Sequence, residues 1–212
     1  MAFPTLPRRL ALFLPIAALA LAGCGPIVNI GEQPAADVFR LRPIEARVAE
    51  APAPGWRILI DEPSASGGLA GNRIAVFTGP LELKFLADAR WAQRLPAMMQ
   101  ALLIDSFETG AGAMAMTFGS PAAQAPYVLA ADIRDFQADV SERSSPTVTV
   151  RIAFTLSTRA PAQVLGYKVL TATADARSDS GAALADAFNR ANQQILTDVV
   201  AWTVETIPPA AP

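Results

Sequence analysis

The sequence contains no histidine, a single cysteine and only two lysines, Lys84 and Lys168. Lack of histidine removes the usual proton shuttle near neutral pH and the commonest metal ligand. Ser-His-Asp and Cys-His constellations go with it. A Ser-Lys dyad would have to use Lys84 or Lys168, and neither stands in a Ser-x-x-Lys spacing. Neither Gly-x-Gly-x-x-Gly nor a Walker A loop occurs, so nucleotide binding has no support. One cysteine, Cys24, can build neither an intramolecular disulfide nor a thiolate cluster within one chain. The expectation is a chain with no catalytic residues, no metal site and no cofactor.

Paired carboxylates are the remaining route to hydrolysis, since glycoside cleavage needs only two. Asp61 with Glu62 and Asp132 with Asp135 are the neighbouring acids. Three residues apart on a regular strand, Asp132 and Asp135 fall on opposite faces, which is wrong for a catalytic pair. Basic stripes are also missing. Residues 1–23 carry Arg8 and Arg9 and no acid, so the remaining 189 residues hold 15 basic and 19 acidic side chains, a net of −4. That balance argues against nucleic acid.

What is present begins at the N-terminus. Arg8 and Arg9 precede Leu10–Ala22, thirteen uncharged apolar residues interrupted by Pro15. As a helix they span about 20 Å, short of the roughly 30 Å hydrocarbon core. A positive start, a short apolar run and small residues before a cut describe a removable signal peptide. Leu21-Ala22-Gly23-Cys24 resembles the lipobox of lipoprotein signal peptides. That resemblance implies cleavage before Cys24 and acylation of its thiol, with the membrane as a partner. It also accounts for a lone cysteine in an exported chain. Gly25 and Pro26 follow, with no aspartate after the cysteine, as in lipoproteins destined for the outer membrane facing the periplasm.

Gly25–Ala36, with Pro26, Gly31 and Pro34, reads as a tether. Residues 37–207 are long enough for one domain with a sizeable core, and 208–212 form a tail. Strands are expected at Asp37–Arg42, Trp56–Ile60, Arg73–Thr78, Leu81–Phe85, Met114–Phe118, Tyr127–Ile133, Thr147–Leu156 and Leu165–Thr173. Thr147–Leu156 alternates most clearly, with its even positions apolar. Short links between the last three favour an antiparallel meander.

A first helix is expected from Arg90 or Leu95 to Glu108, ended by Gly110 and Gly112. A second, Ser180–Glu205, has Asp179 or Ser180 as its cap and Leu184, Phe188, Ala191, Ile195, Val199 and Trp202 along one face. The fold class is α+β: an antiparallel or mixed sheet with two amphipathic helices on one face, in a single domain. Between strands, Gly67-Gly68-Leu69-Ala70-Gly71-Asn72 could serve as a crossover or expose backbone to a ligand.

Several short segments, in order, resemble the ABC-type transport auxiliary lipoproteins. They are Phe39-Arg40-Leu41, Gly68-Leu69 leading to Arg73-Ile74-Ala75-Val76, Leu83 to Trp91, Leu95-Pro96, Ile133-Arg134-Asp135-Phe136, Ala187-Phe188 and Val200-Ala201-Trp202. The resemblance implies a non-catalytic component of an inter-membrane lipid-transport system, with an MCE-domain protein of an ABC lipid transporter as partner. Phospholipid and further copies of the chain are implied contacts too. Candidate contact residues are Gly67, Gly68, Leu69, Asn72, Arg73, Asp135 and Phe136. Two other readings stay open: an envelope assembly lipoprotein without a transport role, and a carboxylate-based glycan hydrolase.

Overall fold

A computed structural model describes residues 35–48, 55–119, 124–142, 144 and 146–207. The signal peptide, Cys24, most of the tether, Ala51–Pro54 and the 208–212 tail lie outside the described residues. The chain divides into two compact units, Met1–Ala35 and Ala36–Pro212. In the second unit the chain forms β1 (Asp37–Phe39), β2 (Arg57–Ile60), β3 (Ser64–Ala65), a 3-10 turn (Gly67–Ala70), β4 (Arg73–Gly79) and β5 (Glu82–Trp91). Then come α1 (Leu95–Ala111), β6 (Met114–Met116), β7 (Tyr127–Asp139), β8 (Thr147–Arg159), β9 (Ala162–Asp175) and α2 (Gly181–Thr206).

β7 is the spine of a nine-stranded mixed sheet. One of its edges pairs antiparallel with β8 along its length, and β8 pairs in turn with β9. This is the expected meander. The other edge is shared, in succession, by β2, β3 and β4, all parallel to β7. β6 extends the sheet beyond β2, while β5 and then β1 extend it beyond β4. Parallel neighbours need a long crossover, supplied here by β5, α1 and β6, which intervene between β4 and β7.

Both helices pack on one face, and a single core joins them to the sheet. Ile58 and Ile60 of β2, Leu129 and Ile133 of β7, and Val148, Val150, Ile152, Phe154 and Leu156 of β8 point into it. Each such side chain contributes about 1.5–3 kcal/mol by leaving water. Leu59 faces the other way and packs with Met116, Ala125 and Val128. β2 is thus buried on both faces, as a short continuous apolar run at a parallel edge should be.

The first helix starts at Leu95, because β5 runs as far as Trp91. Pro96 occupies the first turn, where its missing N–H costs nothing. Gly112, at φ +65°, is the left-handed residue that ends the helix, and its N–H donates to the Glu108 carbonyl at 3.1 Å. Gly110 has a different task from the expected termination. It is buried inside the last turn, and a Cβ there would lie 2.5 Å from Ile44 Cδ1 and 3.2 Å from Val200 Cγ1. α2 is capped by Ser180, whose Oγ accepts from the Ala183 N–H at 3.3 Å.

Residues 40–48 form no regular element, yet they are fastened across both helices as a strap. Arg42 N–H donates to Asn189 Oδ1 at 2.9 Å, and Gln193 Nε2 donates to the Pro43 carbonyl at 3.3 Å. Ile44 N–H donates to Ser106 Oγ at 3.4 Å, and Val48 N–H to the Gly110 carbonyl at 2.9 Å. Among the described residues no helix is long and apolar enough to cross a membrane.

Candidate functional site

The sheet face away from the helices carries Asp132 and Asp135, two of the acids singled out in the sequence. Its order follows from the register. Asp135 lies opposite Arg151, Asp132 opposite Ala153, and on β9 Tyr167 and Val169 lie opposite Thr155 and Ala153. Asp132 and Asp135 therefore share a face, contrary to the expectation from their spacing. The cause is a bulge: the β7–β8 register slips between Ile133 and Asp135, so Arg134 is an extra residue and the alternation restarts one position later.

Sharing a face does not leave these carboxylates free. Asp135 is ion-paired with the Arg151 guanidinium and accepts from Gln137 Nε2 at 3.3 Å. Asp132 accepts from Ser64 Oγ at 2.9 Å and from Arg134 Nε at 3.3 Å. Arg134 reaches on across β8 and donates to Tyr167 Oη at 2.7 Å. The hydrogen bond to Asp132, then the one to Tyr167, holds the guanidinium above the ordinary arginine range. Each acid is thus matched with an arginine, an arrangement that fixes side chains on an open face. The other acid pair is divided. Glu62 bonds Arg94 at 2.9 Å, while partial burial raises the Asp61 carboxyl above its ordinary range.

The glycine-rich loop folds into a braced turn beside this face. Gly67 adopts φ +58°, a conformation suited to glycine, and Leu69 N–H donates to the Ser66 carbonyl at 3.3 Å. Gly68 lies flat on Phe85: an added Cβ would sit 2.4 Å from the ring's Cζ. Arg73 stacks on the same ring, its Cζ 3.9 Å from the centroid. Backbone bonds lock the far end, with Trp91 N–H donating to the Asn72 carbonyl at 2.8 Å and Leu95 N–H to the Gly71 carbonyl at 2.9 Å. Gly67, Gly68 and Arg73 are exposed, Asn72 is half-buried, and half-buried Leu69 packs against the core.

Phe136 is not on this surface. It is 1% exposed, stacks on Phe188 with centroids 4.9 Å apart and meets Trp91 edge-on at 5.9 Å. Burial removes it from any partner contact, because the bulge at Arg134 turns it into the core. Residue types alone could not reveal this, although the apolar positions 129, 131, 133, 136 and 138 step by two, two, three and two. Two features escaped the sequence reading altogether, namely the Arg134–Tyr167 bridge and the strap clasped by Asn189 and Gln193. Among the described residues no group of three or more metal-ligating side chains occurs.

Comparison with known proteins agrees with this architecture. A crystal structure of a protein from Xanthomonas campestris superposes with a TM-score of 0.74 at 27% identity, covering 81% of this chain and 96% of that one. A second, uncharacterized protein shares the fold at a TM-score of 0.61 and 10% identity, over 80% of this chain and 99% of the other. An uncharacterized protein from Bradyrhizobium diazoefficiens is 31% identical over 147 residues. That match takes in 69% of this chain but only 39% of the relative's length. The family model for the ABC-type transport auxiliary lipoprotein component matches residues 39–200. The chain therefore belongs to the ABC-type transport auxiliary lipoprotein family.

Proposed function

We propose that this protein is a non-catalytic outer-membrane lipoprotein of an ABC-type lipid transporter, acylated at Cys24, which docks or gates the MCE-domain partner on its periplasmic side. Family membership supports the transport role. The observation that carries the docking role is the braced Gly67–Arg73 turn, which offers exposed backbone and an arginine on a surface pinned by Phe85 and two backbone bonds. Docking gains from such pre-organisation, because little ordering remains to be done on contact. The contact set is Gly67, Gly68, Asn72 and Arg73, with the Asp135–Arg151 pair at its border.

The first test is reversal of charge at Arg73. Arg73→Glu is expected to leave the fold intact, since the residue is exposed, and to reduce co-purification with the MCE-domain protein severalfold. Undiminished co-purification would show that the turn is not the contact. Anchoring is tested separately. Two or three acyl chains, at about 0.8 kcal/mol per buried methylene, hold a protein on a bilayer effectively permanently. Cys24→Ala should move the protein from the outer-membrane fraction of a density gradient to the soluble periplasmic fraction.

A further inference from the structure

The hairpin joining β4 to β5 turns through Pro80 and Leu81. Leu81 is 95% exposed, and Leu83, two residues further along the chain, is 41% exposed. Tight turns call for glycine, proline, asparagine, aspartate or serine, and nothing in turn geometry calls for leucine. A large apolar side chain at the tip of a hydrogen-bonded hairpin, the most exposed of the large hydrophobics among the described residues, is free to meet an apolar surface outside the domain.

The direction of β1 points to the surface that the tip can reach. β1 runs parallel to β5, with Asp37 beside Ala89 and Phe39 beside Trp91, so its N-terminal end points back along β5 toward the hairpin. From Ala89 to Leu81 is eight residues, about 26 Å of strand. Thirteen positions separate Cys24 from Asp37, a reach of at most about 45 Å. A lipid anchor at Cys24 thus allows the hairpin tip to reach the surface that holds the anchor. Among the described residues at this end charge does not favour an electrostatic contact: Lys84 is paired with Glu82 at 3.0 Å, and Asp139 lies beside Phe77, with exposed Glu142 in the turn that follows.

We propose that the Pro80–Leu81 tip is a membrane-contacting element, with Leu81 entering the headgroup region of the bilayer in which Cys24 is anchored. The proposal rests on acylation at Cys24. It makes the domain a body with two points of attachment, one covalent and one apolar.

The test uses the full-length acylated protein reconstituted in vesicles of phosphatidylethanolamine and phosphatidylglycerol. With Cys24 acylated, Leu81→Cys supplies the only free thiol for an environment-sensitive fluorophore. Ala162→Cys serves as the control. It lies at the β8–β9 turn, beside the start of β7, whereas the β4–β5 hairpin lies beside its end. Those ends are about 40 Å apart along the strand.

The expected result is emission at shorter wavelength and loss of intensity with doxyl-labelled lipid at position 81, and neither at position 162. Adding Leu81→Asp to protein labelled at Leu83→Cys should abolish the shift at 83. The idea is overturned if vesicle-attached protein shows no shift at 81, an equal shift at 162, a shift at 83 that survives Leu81→Asp, or a shift at 81 only once the transporter partner is added. Protein that fails to float with vesicles would instead bring down the anchor reading, and this proposal with it.

Discussion

Close approach governs several single residues. Gly181 opens α2 where a Cβ would fall 2.6 Å from the Cβ of Ala89 and 3.4 Å from Phe39 Cε2. A methyl carbon on a strand backbone has no rotamer by which to retreat, so one element must move. Gly181→Ala is expected to lower stability by about 1–3 kcal/mol, the usual range for overpacking, as read from urea unfolding. Asp61 gives a residue-scale prediction about pH. Burial raises its carboxyl in the folded state, so the unfolded chain releases that proton first as pH rises. Stability is then lost as pH climbs through the carboxylate range, the reverse of an ion-paired acid. Asp61→Asn should raise the thermal midpoint at neutral pH, with the gain vanishing below the carboxylate range. A gain that persists in acid would assign the effect to something other than titration.

Among elements, the clearest lesson is where periodicity suffices. The meander from β7 to β9 and the apolar stripe of α2 are legible in outline, because their periods hold over seven or more residues, although β7 runs on past the bulge to Asp139 and β8 and β9 extend to the turn between them. The sequence pattern of β5 fades after Phe85, because Ala87-Asp88-Ala89-Arg90 carries little β signal. Only its pairing with β1 on one side and β4 on the other makes it a strand as far as Trp91. The parallel neighbours of β7 were not legible either, since about seventy residues separate β2 from its partner and no local signal spans that distance. The inward direction of Phe136 is hidden for the same reason: it depends on a bulge set by pairing with β8. The strap, too, depends on side chains far off in sequence. Replacing Asn189 and Gln193 together by alanine should cost about 1 kcal/mol for each lost hydrogen bond. Local detachment would show as faster amide exchange at Arg42, Ile44 and Val48, with the α2 amides unchanged.

At the scale of the whole molecule, the fold concentrates its burial on one side of the sheet. Both helices cover one face, and the other holds the small Leu59–Met116–Ala125 cluster beside paired charges, Tyr167, Val169 and the braced glycine turn. One arginine matched to an acid across neighbouring strands, Arg151 with Asp135, and one matched within β7, Arg134 with Asp132, order that face without covering it. Individually such exposed pairs contribute roughly 0–1 kcal/mol, so their effect is geometric: they hold the side chains of this face in place.

The strap and β1 have a further, mechanical consequence. A chain tethered upstream of Asp37 delivers any pull first to β1, then to residues 40–48. Because β1 lies parallel to β5 and faces back toward the hairpin, traction along the strand loads the Asp37–Ala89 to Phe39–Trp91 pairings in shear, all together, instead of peeling them one at a time. Behind them the clasps to Asn189, Gln193, Ser106 and Gly110 take up the load in series. Resistance to such force is set by an unfolding rate, not by equilibrium stability. The lifetime of the domain under tension is therefore governed at these few contacts, far from the centre of its core.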